Sequence, residues 1–168
     1  MTLTGATGRT QTIGAALAGL GMAVAVGTAL GFQHLGGYIP CKLCFEQRIP
    51  HYIGIPVMAL ALVSSLLKLP PVITRGLLAI GAGLMIWSTY LGANHSGVEW
   101  GFWPGPTDCG AIPPSDRAGS LLDQLNMVIP PSCDEAAGRF LGLSFAGWNT
   151  VASLGIGAIA AIAAFRKA

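Results

Sequence analysis

Four separate stretches of this 168-residue chain are long and apolar enough to cross a lipid bilayer. A spanning helix needs roughly 20 mostly apolar residues, because hydrocarbon offers no water to satisfy an open backbone. The stretches lie at about 12–33, 49–67, 72–93 and 145–165, which predicts an all-α integral membrane four-helix bundle. The chain forms one membrane domain over 1–168, with outer loops at about 34–48 and 94–144. The composition agrees: 52% of residues are hydrophobic, 10% are charged, and the mean hydropathy is +0.63. The net charge of +2 comes without a basic run, so no nucleic-acid partner is expected. Arg9 ahead of the first stretch resembles the start of a secretory signal. Gln33-His34-Leu35 is not a small-residue cleavage site, however, and the first stretch is read as a permanent helix.

Orientation follows from the basic residues. Four spans put both termini on one side with the short connection Lys68-Leu69-Pro70-Pro71, and that side carries Arg9, Lys68, Arg75, Arg166 and Lys167. The other side spreads Lys42, Arg48, Arg117 and Arg139 over far more residues, so the termini are expected in the cytoplasm. All four cysteines, Cys41, Cys44, Cys109 and Cys133, then face outward, where disulfides persist. Of the three possible connectivities, Cys41–Cys44 with Cys109–Cys133 is favoured.

Cys41-Lys42-Leu43-Cys44 follows Pro40, a residue suited to a helix start. The amide donors and positive dipole of a helix N-terminus stabilise a thiolate there, and so tight a pair exchanges readily. Arg48, four residues after Cys44, falls on the same helical face. A zinc site would need a second closely spaced pair, whereas Cys109 and Cys133 have 23 residues between them. Taken alone, Cys109–Cys133 also suits a structural staple, and Arg48 suits an interfacial anchor. Two redox-capable pairs together suggest a relay by mixed disulfides. Net oxidation of a partner then requires an electron sink, for which a lipid-soluble quinone is the natural choice in a membrane.

Residues in order along almost the whole chain carry a family resemblance. Phe32-Gln33-His34 is followed by Pro40-Cys41-Lys42-Leu43-Cys44, then by Arg48 and His95. Pro104-Gly105-Pro106-Thr107-Asp108-Cys109, Cys133 and Phe140-Leu141-Gly142-Leu143 lead on to Trp148. The chain thus resembles the DsbB family, bacterial inner-membrane quinone reductases that reoxidise the periplasmic thiol oxidase DsbA. The resemblance implies that Cys109 forms the mixed disulfide with a DsbA-type thioredoxin-fold partner and that Cys133 is its pair-mate. It implies that Cys44 of the inner pair engages ubiquinone or menaquinone from the membrane pool, with Arg48 aiding and His95 near the quinone ring. Well-known members carry glutamate where this chain has Gln47. Glu46 lies one step away, about 100° around a helix, so both stay outside the expected catalytic set.

Two other readings compete. A vitamin K epoxide reductase-like quinone reductase also uses a C-x-x-C on a four-helix core, but late in the chain. A structural membrane protein would use both disulfides only as staples. Asp116 to Ile129 has the pattern of a short helix lying on the membrane surface, and Trp100, Trp103 and Trp148 suit an interfacial aromatic belt.

Overall fold

The computed structural model describes residues 7–106, 109 and 132–166. The surface-helix expectation for 116–129 lies outside them. Among the described residues four helices form the fold: α1 (Arg9–His34), α2 (Lys42–Leu66), α3 (Pro71–Glu99) and α4 (Phe145–Phe165). Each is long and apolar enough to cross a membrane. Large apolar side chains such as Leu20, Leu60, Ile86 and Leu154 are exposed on the bundle's outside, the inverse of a water-soluble bundle. The interior instead holds small residues and methionines, among them Ala15, Ala18, Met22, Met58, Ala82, Met85 and Ala160. Small side chains let helices approach closely where lipid supplies no hydrophobic drive between them. A Cβ on Gly14 would collide with Ala163, so glycine sets the α1–α4 approach.

The helices are neighbours in the order α1–α2–α3–α4, and the ring closes through α1–α4, the least extensive of the four contacts. Polar pairs join the others: Thr12 with Ser65 at 2.7 Å, Ser64 with Thr74 at 2.8 Å, and Ser153 donating to Ser88 at 2.9 Å. At the end holding the termini, Arg75 is 1% exposed. Its Nη1 donates to the carbonyls of Ala164 at 2.7 Å and Arg166 at 3.0 Å. Gln11 Nε2 donates to Ala163 and Arg166 carbonyls, each at 3.1 Å. Both side chains satisfy acceptors that the last turn of α4 leaves open. The α2–α3 turn closes with Lys68 at φ 53° and with Leu69 N–H donating to Ser64 O at 3.0 Å, a Schellman-type end before Pro70 and Pro71 stop and restart the chain.

At the opposite end, two helices outrun the apolar stretches. α2 begins at Lys42 rather than near 49, and α3 continues to Glu99 rather than stopping near 93. The extra turns place the C-x-x-C at a helix start and His95 on a helix. A two-stranded hairpin, β1 (Arg139–Phe140) and β2 (Leu143–Ser144), leads into α4. Its turn puts Leu141 at φ 51° and Gly142 at φ 84°, the pair of positive values a tight two-residue hairpin requires. Trp148 Nε1 donates to Phe140 O at 2.9 Å, and Ser144 caps α4 by accepting from Gly147 N–H at 3.2 Å.

Candidate active site

Cys41 is the N-cap of α2, and Cys44 lies in its first turn. The two are free thiols with sulfurs 3.0 Å apart. Cys109 and Cys133 are joined in a disulfide with Cα atoms 5.7 Å apart. The chain beyond α3 doubles back to bring this disulfide over the bundle: Phe102 N–H donates to Gly97 O at 2.9 Å, and Trp103 Nε1 donates to Asn94 O at 3.1 Å. Only a glycine at 97 leaves space for the Trp103 indole. The two cysteine pairs meet there. Cys41, Cys133 and Val98 form one buried cluster, with Cys44, Cys109 and Leu43 packed against it.

Cys44 faces a different environment from its pair-mate. It lines a cavity of about 700 Å³ along the α1–α4 seam, and Cys41 does not. Apolar residues of α1 and α4, including Val24, Ala25, Phe32, Ala152 and Ile156, make most of the wall. Gln33, Gln47 and Arg48 supply polar groups around Cys44. Arg48 Nη1 donates to Gln33 Oε1 at 2.6 Å, and the guanidinium stands 5.3 Å from the Phe45 ring centroid. Phe32, Tyr38 and Phe145 pack ring against ring beside it.

His95 is not among the cavity-lining residues; its Nε2 lies 3.7 Å from Cys41 Sγ. Its ring orientation follows from Gln47. Gln47 Nε2 donates to the Leu43 carbonyl at 3.2 Å, and a carbonyl can only accept, which fixes the nitrogen end of the amide. The same nitrogen lies 2.7 Å from His95 Nδ1. Nδ1 must therefore accept, and the ring proton sits on Nε2, facing Cys41 and, at 3.8 Å, Glu99 Oε1. The Cys44 thiol, followed by His95, holds the Cys41 thiol down to about 4, against the opposing effect of burial. Gln47 Oε1 in turn accepts from Asn149 Nδ2 at 3.0 Å, and Asn149 reaches Ser88 Oγ at 3.3 Å, so one polar chain crosses α2, α4 and α3.

Cys41, Cys44 and His95 place their ligand atoms within 4.8 Å of one another, close enough to suggest a metal. The donor set argues otherwise. A metal-bound imidazole presents a bare nitrogen to the ion and donates its other N–H outward. Here Gln47 offers a donor to Nδ1, and the proton occupies the nitrogen that would have to ligate.

Of the six site residues expected from the sequence, the cysteines and His95 gather at one end of the bundle and Arg48 lines the adjoining cavity. Gln47, Asn149 and Glu99 were not singled out for this site. Gln47 and Asn149 are polar residues inside membrane helices, itself a functional signal.

Fold and site together define a multi-pass membrane protein built for thiol–disulfide chemistry at one end of a four-helix bundle. The family profile for "Disulfide bond formation protein DsbB" matches residues 11–163, and the chain belongs to that family. It is therefore a disulfide-bond-forming oxidoreductase of the inner membrane. It is 27% identical over 164 residues to a disulfide bond formation protein B of Polaromonas sp. (strain JS666), covering 91% of this chain and 90% of the relative. It is 32% identical over 147 residues to a protein of the same description from Saccharophagus degradans, covering 83% and 84%. No solved structure matches the chain.

Proposed function

We propose that the protein reoxidises a periplasmic DsbA-type dithiol oxidase and passes the two electrons to ubiquinone or menaquinone, with its termini in the cytoplasm and its cysteines on the periplasmic side. One observation carries this reading: within a single C-x-x-C pair, Cys41 packs against the Cys109–Cys133 disulfide while Cys44 lines an apolar cavity. The pair is thus a junction between a protein disulfide and a lipid-soluble acceptor. The cavity fits a quinone in chemistry as well as size, with an apolar wall for an isoprenoid chain and Gln33, Arg48 and Cys44 for a polar ring. When bound, quinone supplies a sink for two electrons and two protons.

The steps belonging to the protein follow from placement. The partner's thiolate attacks the Cys109–Cys133 disulfide and leaves with that pair's oxidation. Cys133, freed beside Cys41, attacks the Cys41–Cys44 disulfide at Cys41 Sγ, and Cys44 departs as a thiolate into the cavity. Arg48, hydrogen-bonded to Gln33 and on the same helical face, favours negative charge there. Phe32, Tyr38 and Phe145 add an aromatic part to the cavity wall.

The test mixes detergent-solubilised protein, a reduced DsbA-type partner and a soluble ubiquinone analogue, and follows quinone absorbance. Rapid loss that disappears in Cys44→Ser is expected. Folded protein that consumes no quinone with any reduced partner would favour disulfides acting only as staples.

A further inference from the structure

Sequence reasoning leaves Gln47 with no role, yet it governs the one nitrogen that touches Cys41. We propose that Gln47 is a positioning residue for the thiol relay: by holding His95 in its Nε2–H form it keeps a donor on Cys41 Sγ and makes Cys41 the leaving sulfur when the outer disulfide re-forms. This rests on the relay described above.

The step is balanced within the protein. Cys109 thiolate attacks Cys133 Sγ of a Cys41–Cys133 disulfide. The Cys109–Cys133 bond forms, the Cys41–Cys133 bond breaks, and Cys41 departs with the electron pair. One disulfide replaces another, so no oxidant is consumed. Exchange runs faster the better the leaving sulfur holds negative charge. His95 Nε2–H, 3.7 Å from Cys41 Sγ, is placed to stabilise that charge, and in the neutral ring it exists only while Nδ1 is an acceptor.

The amide matters because it offers nitrogen to His95 at every pH. A carboxylate at 47 would accept from Nδ1 and draw a proton to it. The ring would then either turn a bare Nε2 toward Cys41 or carry a charge that comes and goes with pH. The titratable groups set against the Cys41–His95 contact are Cys44 on α2 and Glu99 on α3, with Glu99 Oε1 3.8 Å from His95 Nε2. Arg48 stands on the Cys44 side, and from α4 the neutral Asn149 donates to Gln47 Oε1. Glu99 Oε2 is buried without a hydrogen-bond partner, and Oε1 faces the same ring nitrogen as Cys41 Sγ.

The experiment uses full-length protein in micelles with the inner pair reduced. Nitrogen-15 NMR of labelled histidine side chains reads which ring nitrogen carries the proton. Wild type is expected to show His95 protonated on Nε2 and bare on Nδ1, and Gln47→Glu is expected to protonate Nδ1. A wild-type His95 bearing its proton on Nδ1, or a tautomer unchanged in Gln47→Glu, overturns the proposal. The second readout is the ultraviolet absorbance of the Cys41 thiolate against pH, referenced to Cys41→Ser. The near-isosteric Gln47→Met should lower the Cys41 acid dissociation constant about tenfold, the loss of one hydrogen bond to a charged group. An unshifted profile in folded Gln47→Met overturns the proposal, and if that variant fails to fold, the Gln47→Glu spectrum still decides. Neither readout uses partner or quinone, so failure of the turnover assay would sink the relay without touching the tautomer result.

Discussion

Replacing Arg48 with methionine should separate the two halves of the proposed reaction. Arg48 and Cys44 are one turn apart on the same face of α2, which puts their side chains roughly 6 Å apart. At an effective dielectric near 20, a unit charge at that distance contributes about 3 kcal/mol toward a thiolate or a reduced acceptor. Removing it should slow quinone consumption by about two orders of magnitude. The exchange between the partner and the Cys109–Cys133 disulfide has no leaving group beside Arg48 and should keep its rate. Arg48→Lys retains the charge but loses the planar donor that meets Gln33 Oε1 at 2.6 Å, and should cost about tenfold. Two measurements on each variant suffice: steady-state quinone absorbance, and acid-quenched single turnovers in which a thiol-reactive mass tag counts free cysteines. An Arg48→Met protein that consumes quinone at the wild-type rate, or that loses exchange as much as quinone reduction, would refute the assignment of Arg48 to the cavity side.

Further outcomes follow from other contacts. Because the Cys41 thiol is held down to about 4, the reduced protein should keep a thiolate as pH falls from 8 to about 5 and lose it near 4, and Cys41→Ser should remove this acid-resistant thiolate from the ultraviolet absorbance. Arg75→Met leaves the Ala164 carbonyl without its Arg75 donor and the Arg166 carbonyl with Gln11 Nε2 in place of two donors, and should destabilise the bundle by about 1–3 kcal/mol, read from thermal unfolding in micelles. Gly97→Val drives a methyl group into the Trp103 indole, so the strap carrying Cys109 should loosen and the Cys109–Cys133 disulfide should yield to milder reductant than in wild type.

The apolar stretches announce four spans because bilayer thickness acts directly on sequence. They do not announce helix ends at the outer side, since Lys42 to Arg48 and Asn94 to Glu99 are polar enough to pass for loop. Pro40 and the C-x-x-C mark the first of these as a helix start, whereas the helical state of Asn94 to Glu99 comes with packing around His95, which a hydropathy pattern does not record. The cysteines were legible because thiol chemistry has few alternatives at that spacing. The division of labour within the C-x-x-C was not, because it depends on what stands behind each sulfur: Cys133 and His95 against Cys41, a cavity against Cys44. Gln47 was passed over as a departure from the expected glutamate. Its part emerges only from three simultaneous contacts, with Leu43 O, His95 Nδ1 and Asn149, and two of those lie on other helices.

The weakest of the four helix contacts, α1 against α4, is also where the cavity lies, and its lips Phe32, Val24 and Val151 are exposed on the bundle's flank. A guest of this cavity therefore arrives by two-dimensional diffusion within the bilayer, while a soluble protein meeting the cysteine loops arrives through three dimensions of water. The supply of the first is set by its mole fraction among the lipids and that of the second by its molarity. Adding lipid to a reconstituted preparation dilutes only the first, and slows the reaction with every aqueous concentration unchanged.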